Sequence, residues 1–196
     1  MVRSERASGR RGVALRVLLL CVLAGCLLPK PPPSPRYFAP GPSSGEPQGP
    51  PVAVRLGIVR SPVYLREQLT WRRSDVEYGF YEQRRWTELP ATYVERALVR
   101  ELSPAGGTGD VPLVTATLRA FEDVLTPSHE ARVALAVEVE DARCVGLRRT
   151  FAATRPLATN EPEAVANGIG EALDDVMREV GVAVRQAVAE RGHCGS

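Results

Sequence analysis

From residue 52 onwards, apolar residues alternate with polar or small ones in several stretches, a pattern typical of β-strands with one buried face. Strands are predicted at residues 52–58, 69–74, 76–83, 114–120, 133–139 and 147–153. The second and third of these runs suit a hairpin, and the next two form the clearest strand pair. Upstream of them only residues 36–39 have strand character, and one alternative is that the sheet begins there.

Two segments show the spacing of amphipathic helices instead. In the first, an apolar residue recurs every four positions, at Val94, Leu98 and Leu102. Thr87 is the expected N-cap of this helix. The helix is expected to stop at residues 103–107, which contain proline and two glycines.

The second helix has a single apolar stripe that runs towards the end of the chain. Asn160 with Glu163 resembles a capping box that opens it. The stripe comprises Val165, Ile169, Leu173, Val176, Val180, Val184 and Val188. Because strands joined by short turns favour antiparallel pairing, residues 52–196 are predicted to form an α+β domain, a largely antiparallel sheet of five to six strands with two helices packed on it.

The N-terminus has the features of a secretory signal. Arginines precede an apolar run over residues 13–23, about half the length that spans a bilayer. Leu23-Ala24-Gly25-Cys26 closes this run and looks like the lipobox of bacterial lipoproteins. Residues 1–25 are therefore predicted to be a lipoprotein signal peptide and Cys26 to carry the acyl chains, palmitate among them; the alternative is an ordinary signal with a chance cysteine. Leu27, in place of the Asp that retains such proteins on the inner membrane, favours an outer-membrane address facing the periplasm.

A proline-rich stretch follows the lipobox. Ten of the seventeen prolines fall within residues 27–51, which have no hydrophobic period. Residues 26–51 are therefore predicted to be a lipidated tether, largely polyproline II or irregular. At about 3.1 Å per residue such a tether would reach roughly 75 Å when fully extended. The folded domain is expected to stand well off its membrane.

The net charge changes when the signal is set aside. The whole chain has 25 basic and 23 acidic residues, but residues 1–25 hold five arginines and one glutamate, which leaves 20 basic and 22 acidic residues after them. No run of arginines is interleaved with aromatics on a nucleic-acid-binding module, so nucleic acid is not an expected partner.

Catalytic motifs are sparse. Neither His129 nor His193 has a metal-binding or catalytic spacing, and no Gly-x-Ser-x-Gly elbow occurs. The glycine-rich residues 104–110 lack the lysine of a phosphate-binding loop. Asp174 and Asp175 predict a solvated helix face. The sequence thus predicts no enzyme activity, no cofactor and no metal.

Two cysteines remain once the signal is removed and Cys26 is acylated, namely Cys144 and Cys194. In an oxidising compartment this pair favours a disulfide that joins the C-terminal tail to the sheet. Two free thiols are an alternative, as is a metal site that uses His193 and Cys194.

Four short motifs resemble, in their order along the chain, those of the ABC-type transport auxiliary lipoprotein family. They are Tyr37-Phe38, Pro62-Val63-Tyr64-Leu65, Arg72-Arg73 and Trp86-Thr87-Glu88. In that family an aromatic segment precedes a strand, a Pro-x-Tyr-Leu turn, a strand ending in arginine and a Trp-x-Glu that opens a helix. Its members pair with Mce-type lipid transport systems, including the paraquat-inducible (Pqi) system. The long proline tract departs from the family pattern.

The resemblance implies a non-enzymatic docking component that is anchored through its N-terminal lipid and contacts the Mce-domain protein of a lipid ABC transporter. Exposed apolar and aromatic groups would carry the contact. The candidate partner-binding residues are Tyr64, Leu65, Trp71, Arg72, Arg73 and Trp86, with Tyr78, Phe80, Arg84 and Arg85 beside them. The alternatives are core packing for the rings and a solvated hairpin for the arginines.

Two other functions stay open. One is a lipid-binding or lipopolysaccharide-assembly lipoprotein, which requires an apolar groove between helix and sheet. The other is an anchored hydrolase. The oligomeric state, the transported lipid and the direction of transport are not encoded in any motif.

Overall fold

The structure is a computed structural model that describes residues 33–41, 46–47, 49–104, 111–141 and 145–190. The lipobox with Cys26, as well as Cys144, His193 and Cys194, lies outside these residues. Residues from Pro35 onwards form one compact unit. None of the described helices is long and apolar enough to cross a membrane.

Seven strands and two helices make up the described part of the chain. The strands are β1 (Arg36–Phe38), β2 (Arg55–Arg60), β3 (Gln68–Arg72), β4 (Tyr78–Trp86), β5 (Leu113–Val124), β6 (Glu130–Glu140) and β7 (Val145–Pro156). The helices are α1 (Pro90–Leu102) and α2 (Pro162–Ala189). The predicted hairpin is confirmed as β3 and β4, and both predicted helices are confirmed.

The strands form one mixed sheet in the order β1-β4-β3-β5-β6-β7, and β2 pairs with β5 beside β3. The pairs β3–β4, β5–β6 and β6–β7 are antiparallel, whereas β1–β4, β2–β5 and β3–β5 are parallel. The α+β class is confirmed, but the expectation of a largely antiparallel sheet of five to six strands is wrong. Alternation along the sequence identifies strands; it does not identify parallel partners that are distant in the chain.

β2 and β3 lie one after the other along the same edge of β5. Arg60 lies opposite Thr117, and Thr70 lies opposite Glu122. Ten residues on one side therefore span only five on the other. The surplus leaves the sheet as a loop, residues 61–67, which carries the Pro-x-Tyr-Leu motif.

The first predicted strand is out of phase with the observed one. The register between β2 and β5 shifts between Leu56 and Val59. Such an irregularity changes the face on which the following residues lie. Val59 is buried as a result, whereas Ile58, which was expected to be buried, is 84% exposed.

Each helix begins at a proline and has no side-chain N-cap. The N-cap of α1 is Leu89 rather than Thr87, whose hydroxyl shares a hydrogen bond with the Tyr93 hydroxyl at 2.7 Å. The N-cap of α2 is Glu161 rather than Asn160. Both predicted caps are therefore wrong, since the helices start after an extended residue followed by proline, a favourable first helical position.

The hydrophobic core lies between the helices and one face of the sheet. Both helices contact the sheet and each other. Val94, Leu98 and Leu102 of α1 are buried as predicted, and so is the α2 stripe up to Val184. Trp86 packs edge-on against Phe121 with 5.2 Å between ring centroids and faces Tyr93 in the same manner. This aromatic cluster joins β4, β5 and α1.

The sheet begins inside the segment that was predicted to be a tether. β1 pairs with the end of β4, with Arg36 opposite Arg84 and Phe38 opposite Trp86. The chain then crosses α2, where the N–H of Gly41 donates a hydrogen bond of 3.0 Å to the Ala166 carbonyl. We call residues 36–41 the strap.

Glycine at position 170 permits this crossing. A Cβ atom at Gly170 would lie 2.7 Å from both the backbone nitrogen and the carbonyl oxygen of Gly41. That is closer than Cβ atoms approach backbone atoms, so only glycine allows the strap to lie directly on the helix. The close approach fixes the strap to α2.

The chain is held again before it enters β2. Arg185 of α2 donates from Nε to the Pro50 carbonyl oxygen at 3.2 Å and from Nη1 to Glu101 Oε1 at 3.0 Å. Glu101 is buried at the end of α1. Val52 and Val54 follow and lie in the core, so this part of the chain belongs to the folded domain.

Candidate functional site

Aromatic rings are exposed on the face of the β3–β4 hairpin that points away from the helices. Tyr78 and Phe80 of β4 are 46% and 40% exposed. They lie opposite Arg72 and Thr70 of β3. Because residues alternate between faces along a strand and Leu69 belongs to the core, these four residues lie on the outer face.

The 61–67 loop adds a third ring to this surface. The ring of Tyr64 lies 5.0 Å from that of Tyr78, and its hydroxyl donates a hydrogen bond of 3.0 Å to the Arg119 carbonyl oxygen. Val63, next to it, is 76% exposed. We call Val63, Tyr64, Arg72, Tyr78 and Phe80 the docking face.

A buried ion pair lies beneath the docking face. Arg72 Nε donates to Glu122 Oε1 at 2.6 Å, and the Glu122 side chain is fully buried. This hydrogen bond raises the pKa of the Arg72 guanidinium. Burial, with a smaller effect of the Glu122 carboxylate, raises the pKa of the Tyr64 hydroxyl. Glu122 Oε2 has no hydrogen-bond partner among the described residues.

A fourth aromatic residue, Trp71, lies on the opposite face of the hairpin, next to an arginine. Trp71 lies against Gly79, where its indole leaves no room for a Cβ atom. The guanidinium of Arg73 lies over this indole, 5.4 Å from the ring centroid. Arg73 also pairs with Glu77 at 2.9 Å, across the turn. Trp71 and Arg73 thus lie at the hairpin end, on the face opposite the docking face.

Behind the hairpin, Asp123 is the centre of a buried hydrogen-bond network. Tyr81 donates to Asp123 Oδ2 at 2.7 Å, and His129 Nε2 lies 2.9 Å from Oδ1. Burial, reinforced by the hydrogen bond to Asp123, raises the pKa of Tyr81. Both carboxylate oxygens therefore have partners, and the network joins β4, β5 and the turn before β6.

The structure places the other candidate residues away from the docking face. Leu65 and Trp86 are 3% and 2% exposed, so the core alternative applies to these two. Arg84 lies over the Tyr81 ring at 4.2 Å, and Arg85 pairs with Glu67 at 3.0 Å. Of the six candidate partner-binding residues, Tyr64, Trp71, Arg72 and Arg73 are brought together at the hairpin.

The buried acids of β5 were not among the candidate residues. Glu122 and Asp123 directly follow the apolar alternation of β5, and both are fully buried. The signal that could have identified them is two adjacent carboxylates inside a strand pattern, because buried carboxylates require partners. His129 hydrogen-bonds to Asp123, and the Arg72 guanidinium forms an ion pair with Glu122.

Among the depressions on the surface of the described residues, one of about 210 Å³ lies where Pro40 of the strap meets Tyr93 and Leu173 of the helices. Another, of about 350 Å³, lies beside Tyr37 and Leu89. Within the described ranges, no three histidine, cysteine, aspartate or glutamate side chains are grouped so that they could hold a metal ion.

Comparisons with known proteins concern both sequence and fold. The family model for the ABC-type transport auxiliary lipoprotein component matches residues 38–181. A Xanthomonas campestris protein of the family DUF330 has a similar structure, with a TM-score of 0.62 at 20% identity, over 77% of this chain and 98% of its own. A crystal structure titled as an uncharacterized protein is similar at a TM-score of 0.61 and 12% identity, over 78% and 99% of the two chains. At these identities the likeness shows the fold alone. No curated protein matches the sequence.

Proposed function

Because the chain belongs to the ABC-type transport auxiliary lipoprotein family, we propose that it is the docking component of an Mce-type ABC lipid transport system and has no enzymatic activity. In this proposal, residues 1–25 are removed and Cys26 carries the lipid. The anchor lies in the cell envelope, at the periplasmic face of the outer membrane. The partner is the Mce-domain protein of the transporter.

The observation that carries the proposal is the docking face. Tyr78 and Phe80 form an exposed aromatic surface on the sheet, the half-buried Tyr64 of the 61–67 loop packs beside Tyr78, and aromatic residues with nearby arginine dominate binding at protein interfaces. Arg72 extends across the Tyr78 ring at 5.8 Å. The surface is thus preorganised, which lowers the entropic cost of association.

The candidate residues have different roles in this proposal. Tyr64 and Arg72 belong to the contact, and Trp71 with Arg73 extends it around the hairpin. Arg72 also neutralises a fully buried carboxylate, and breaking such a pair costs about 3–5 kcal/mol. An Arg72 variant could lose binding either because the contact is removed or because the domain is destabilised. The test therefore uses other residues.

The test is mild crosslinking in native membranes followed by purification of the lipoprotein and identification of crosslinked proteins. We expect an Mce-domain protein with the wild-type chain. Tyr78→Ser and Phe80→Ser should each reduce its recovery at least about tenfold, since truncation of a hot-spot residue at the centre of an interface costs about 2 kcal/mol or more.

Val182→Ser and Val99→Ser are matched controls. Both valines are exposed, at 58% and 48%, on the helical side of the domain. These variants should retain the wild-type crosslink. The proposal fails if no Mce-domain protein is crosslinked, or if the control variants lose it as much as the docking-face variants do.

A further inference from the structure

β7 lies at one end of the sheet and has an open edge. It comes last in the strand order, and among the described residues it pairs with β6 alone. From Leu147 to Pro156 its register with β6 has no shift, and residues 147–155 contain no proline. A long, regular edge is a template for a further strand, and proteins usually block such edges with proline, bulges or short strand length. Over these residues β7 has none of the three.

The backbone hydrogen bond that follows β7 shows which of its residues face the open edge. The Leu157 N–H donates to the His129 carbonyl oxygen at 2.9 Å, one step beyond the pair of Glu130 and Pro156. In an antiparallel ladder, residues that bond to the neighbouring strand alternate with residues whose N–H and C=O groups point away from it. The residues of β7 that present both backbone groups at the open edge are therefore Arg148, Thr150, Ala152 and Thr154.

The side chains at this edge leave room for another strand. Thr150, Ala152 and Thr154 are small and exposed, on the face of the sheet that points away from the helices. Phe151 lies on the other face and is buried in the core. A strand that pairs with β7 would thus meet a flat surface without large side chains in its path.

The charges of β7 are all positive. The strand carries Arg148, Arg149 and Arg155 and no acid. Arg148 pairs with Glu138 at 3.0 Å, and Arg155 pairs with Asp175 of α2. Arg149 is exposed and lies over the neighbouring aromatic ring, but it forms no ion pair with a described residue. An acidic side chain beside Arg149 would therefore be favourable.

We propose that the open edge of β7 binds an extended, acidic segment of a protein partner, which adds to the sheet as a further strand. The backbone groups of the edge supply the main-chain hydrogen bonds, and Arg149 selects an acidic side chain. A second copy of β7 would bring further arginines and no acid, and like charges opposite each other in a sheet are destabilising. This edge is separate from the docking face, because β3, β5 and β6 lie between β4 and β7.

Two synthetic peptides of about ten residues, the upper end of ordinary strand length, test the proposal. Both alternate valine with polar residues, and they carry glutamates or lysines at the same positions. Each peptide is labelled with fluorescein and titrated with the full-length lipoprotein in detergent micelles, and fluorescence anisotropy reports binding. We expect the glutamate peptide to bind at least about tenfold more tightly than the lysine peptide. Equal binding, tighter binding of the lysine peptide or no binding of either overturns the proposal.

Ala152→Pro separates the open edge from the fold. The Ala152 N–H points to the open edge, so proline there removes no hydrogen bond to β6, and edge strands accept proline in this position. The variant should keep the wild-type unfolding midpoint and bind the glutamate peptide at least about tenfold more weakly. Ala152→Thr is the matched control, because it keeps the N–H, and it should bind as the wild type does. Wild-type binding by the proline variant would show that the peptide does not pair with this edge.

Arg149→Glu leaves the backbone of β7 unchanged and tests the charge. Its preference should shift to the lysine peptide, and an unchanged preference for the glutamate peptide would contradict the role of Arg149.

Amide exchange resolved to single residues of the full-length lipoprotein identifies the occupant of the edge. Without peptide, the N–H groups of Thr150 and Ala152 should exchange faster than those of Phe151 and Ala153, which bond to β6. The glutamate peptide should slow exchange at Thr150 and Ala152 at least about tenfold. If these two groups are already protected in a protein that sediments as a dimer, a second copy occupies the edge and the proposal is wrong.

Discussion

Asp123 shows why residue type alone does not locate a functional site. Alternation from Val114 to Ala120 assigns it to the polar face, but the register shifts between Leu118 and Ala120 and Asp123 is buried. Both of its oxygens have partners, Tyr81 and His129. A histidine beside a carboxylate is also part of a nucleophilic triad, but no serine or cysteine within the described ranges hydrogen-bonds to His129. The arrangement fits a structural network that fixes the turn before β6.

Tyr81→Phe should make the free energy of unfolding fall less steeply with pH in the alkaline range. Burial, together with the hydrogen bond to Asp123, raises the pKa of Tyr81 in the folded state. The unfolded chain loses this proton first, at about pH 10. The contribution to stability is therefore complete below about pH 10 and is lost as the pH rises above it towards the folded-state pKa. Urea unfolding followed by tryptophan fluorescence from about pH 8 to about pH 11 measures the slope.

Tyr64→Phe is the companion variant, since burial also raises the pKa of Tyr64. Each variant should lose stability less steeply with pH than the wild type. At neutral pH, Tyr81→Phe should cost about 1–3 kcal/mol, because Asp123 then loses a buried donor. Two variants with the wild-type slope would exclude these tyrosines as the cause.

Residue type and motif indicate candidate contact residues but do not show which of them are exposed. Trp86 and Leu65 are of types that are common at interfaces, yet they lie in the core, while Tyr78 and Phe80 are exposed. Whether a ring faces solvent depends on strand register and on the path of the 61–67 loop. Neither can be derived from alternation within one strand.

At the scale of elements, the positions of strands and helices follow from the sequence, whereas their starts and partners do not. The apolar stripe of α2 is buried as predicted, because helical periodicity depends on local spacing alone. The β2 irregularity at Leu56 and Val59 depends on pairing with β5, which is more than fifty residues away. Local patterns cannot contain that information.

Gly170→Ala should detach the strap without unfolding the domain. Alanine favours a helix over glycine by up to about 1 kcal/mol, but the added Cβ would collide with the Gly41 backbone, which cannot rotate away. We expect amide exchange at Gly41, whose N–H is bonded to Ala166, to accelerate at least about tenfold, equivalent to about 1.4 kcal/mol. Hydrogen exchange with mass spectrometry measures this effect.

Gly146→Ala is the control, because a Cβ atom there meets nothing closer than 3.7 Å. Its strap should exchange at the wild-type rate. Unchanged exchange in Gly170→Ala would show that the strap is not held by its contact with α2.

At the scale of the whole molecule, the sequence predicts the fold class of the domain better than the residue at which the domain begins. Proline content correctly marks a segment without hydrophobic periodicity, but it does not reveal that Phe38 packs against the core or that Arg185 holds Pro50. The three residues of β1 are too few for a periodic signal. They belong to the sheet because they pair with β4, and composition alone does not reveal that pairing.

A chain of residues 52–196 should therefore be less stable than one of residues 33–196. The shorter chain lacks β1, exposes the edge of β4 and uncovers the surface on which Phe38 packs. Full burial of a phenylalanine contributes about 1.5–3 kcal/mol, and the half-buried Phe38 should contribute no more than the lower end of that range. Thermal unfolding of the two purified chains measures the difference, and equal midpoints would contradict a folded role for the strap.

The pairing of strap and α2 also has a consequence for the order of biogenesis. Arg36 hydrogen-bonds to Glu163, 127 residues later in the chain, and Gly41 lies on the same helix. In the proposed function the chain is exported from its N-terminus, so β1 would wait for α2 before it could close on the domain. The residues around Cys26 would then be open to acylation on a domain that is still incomplete.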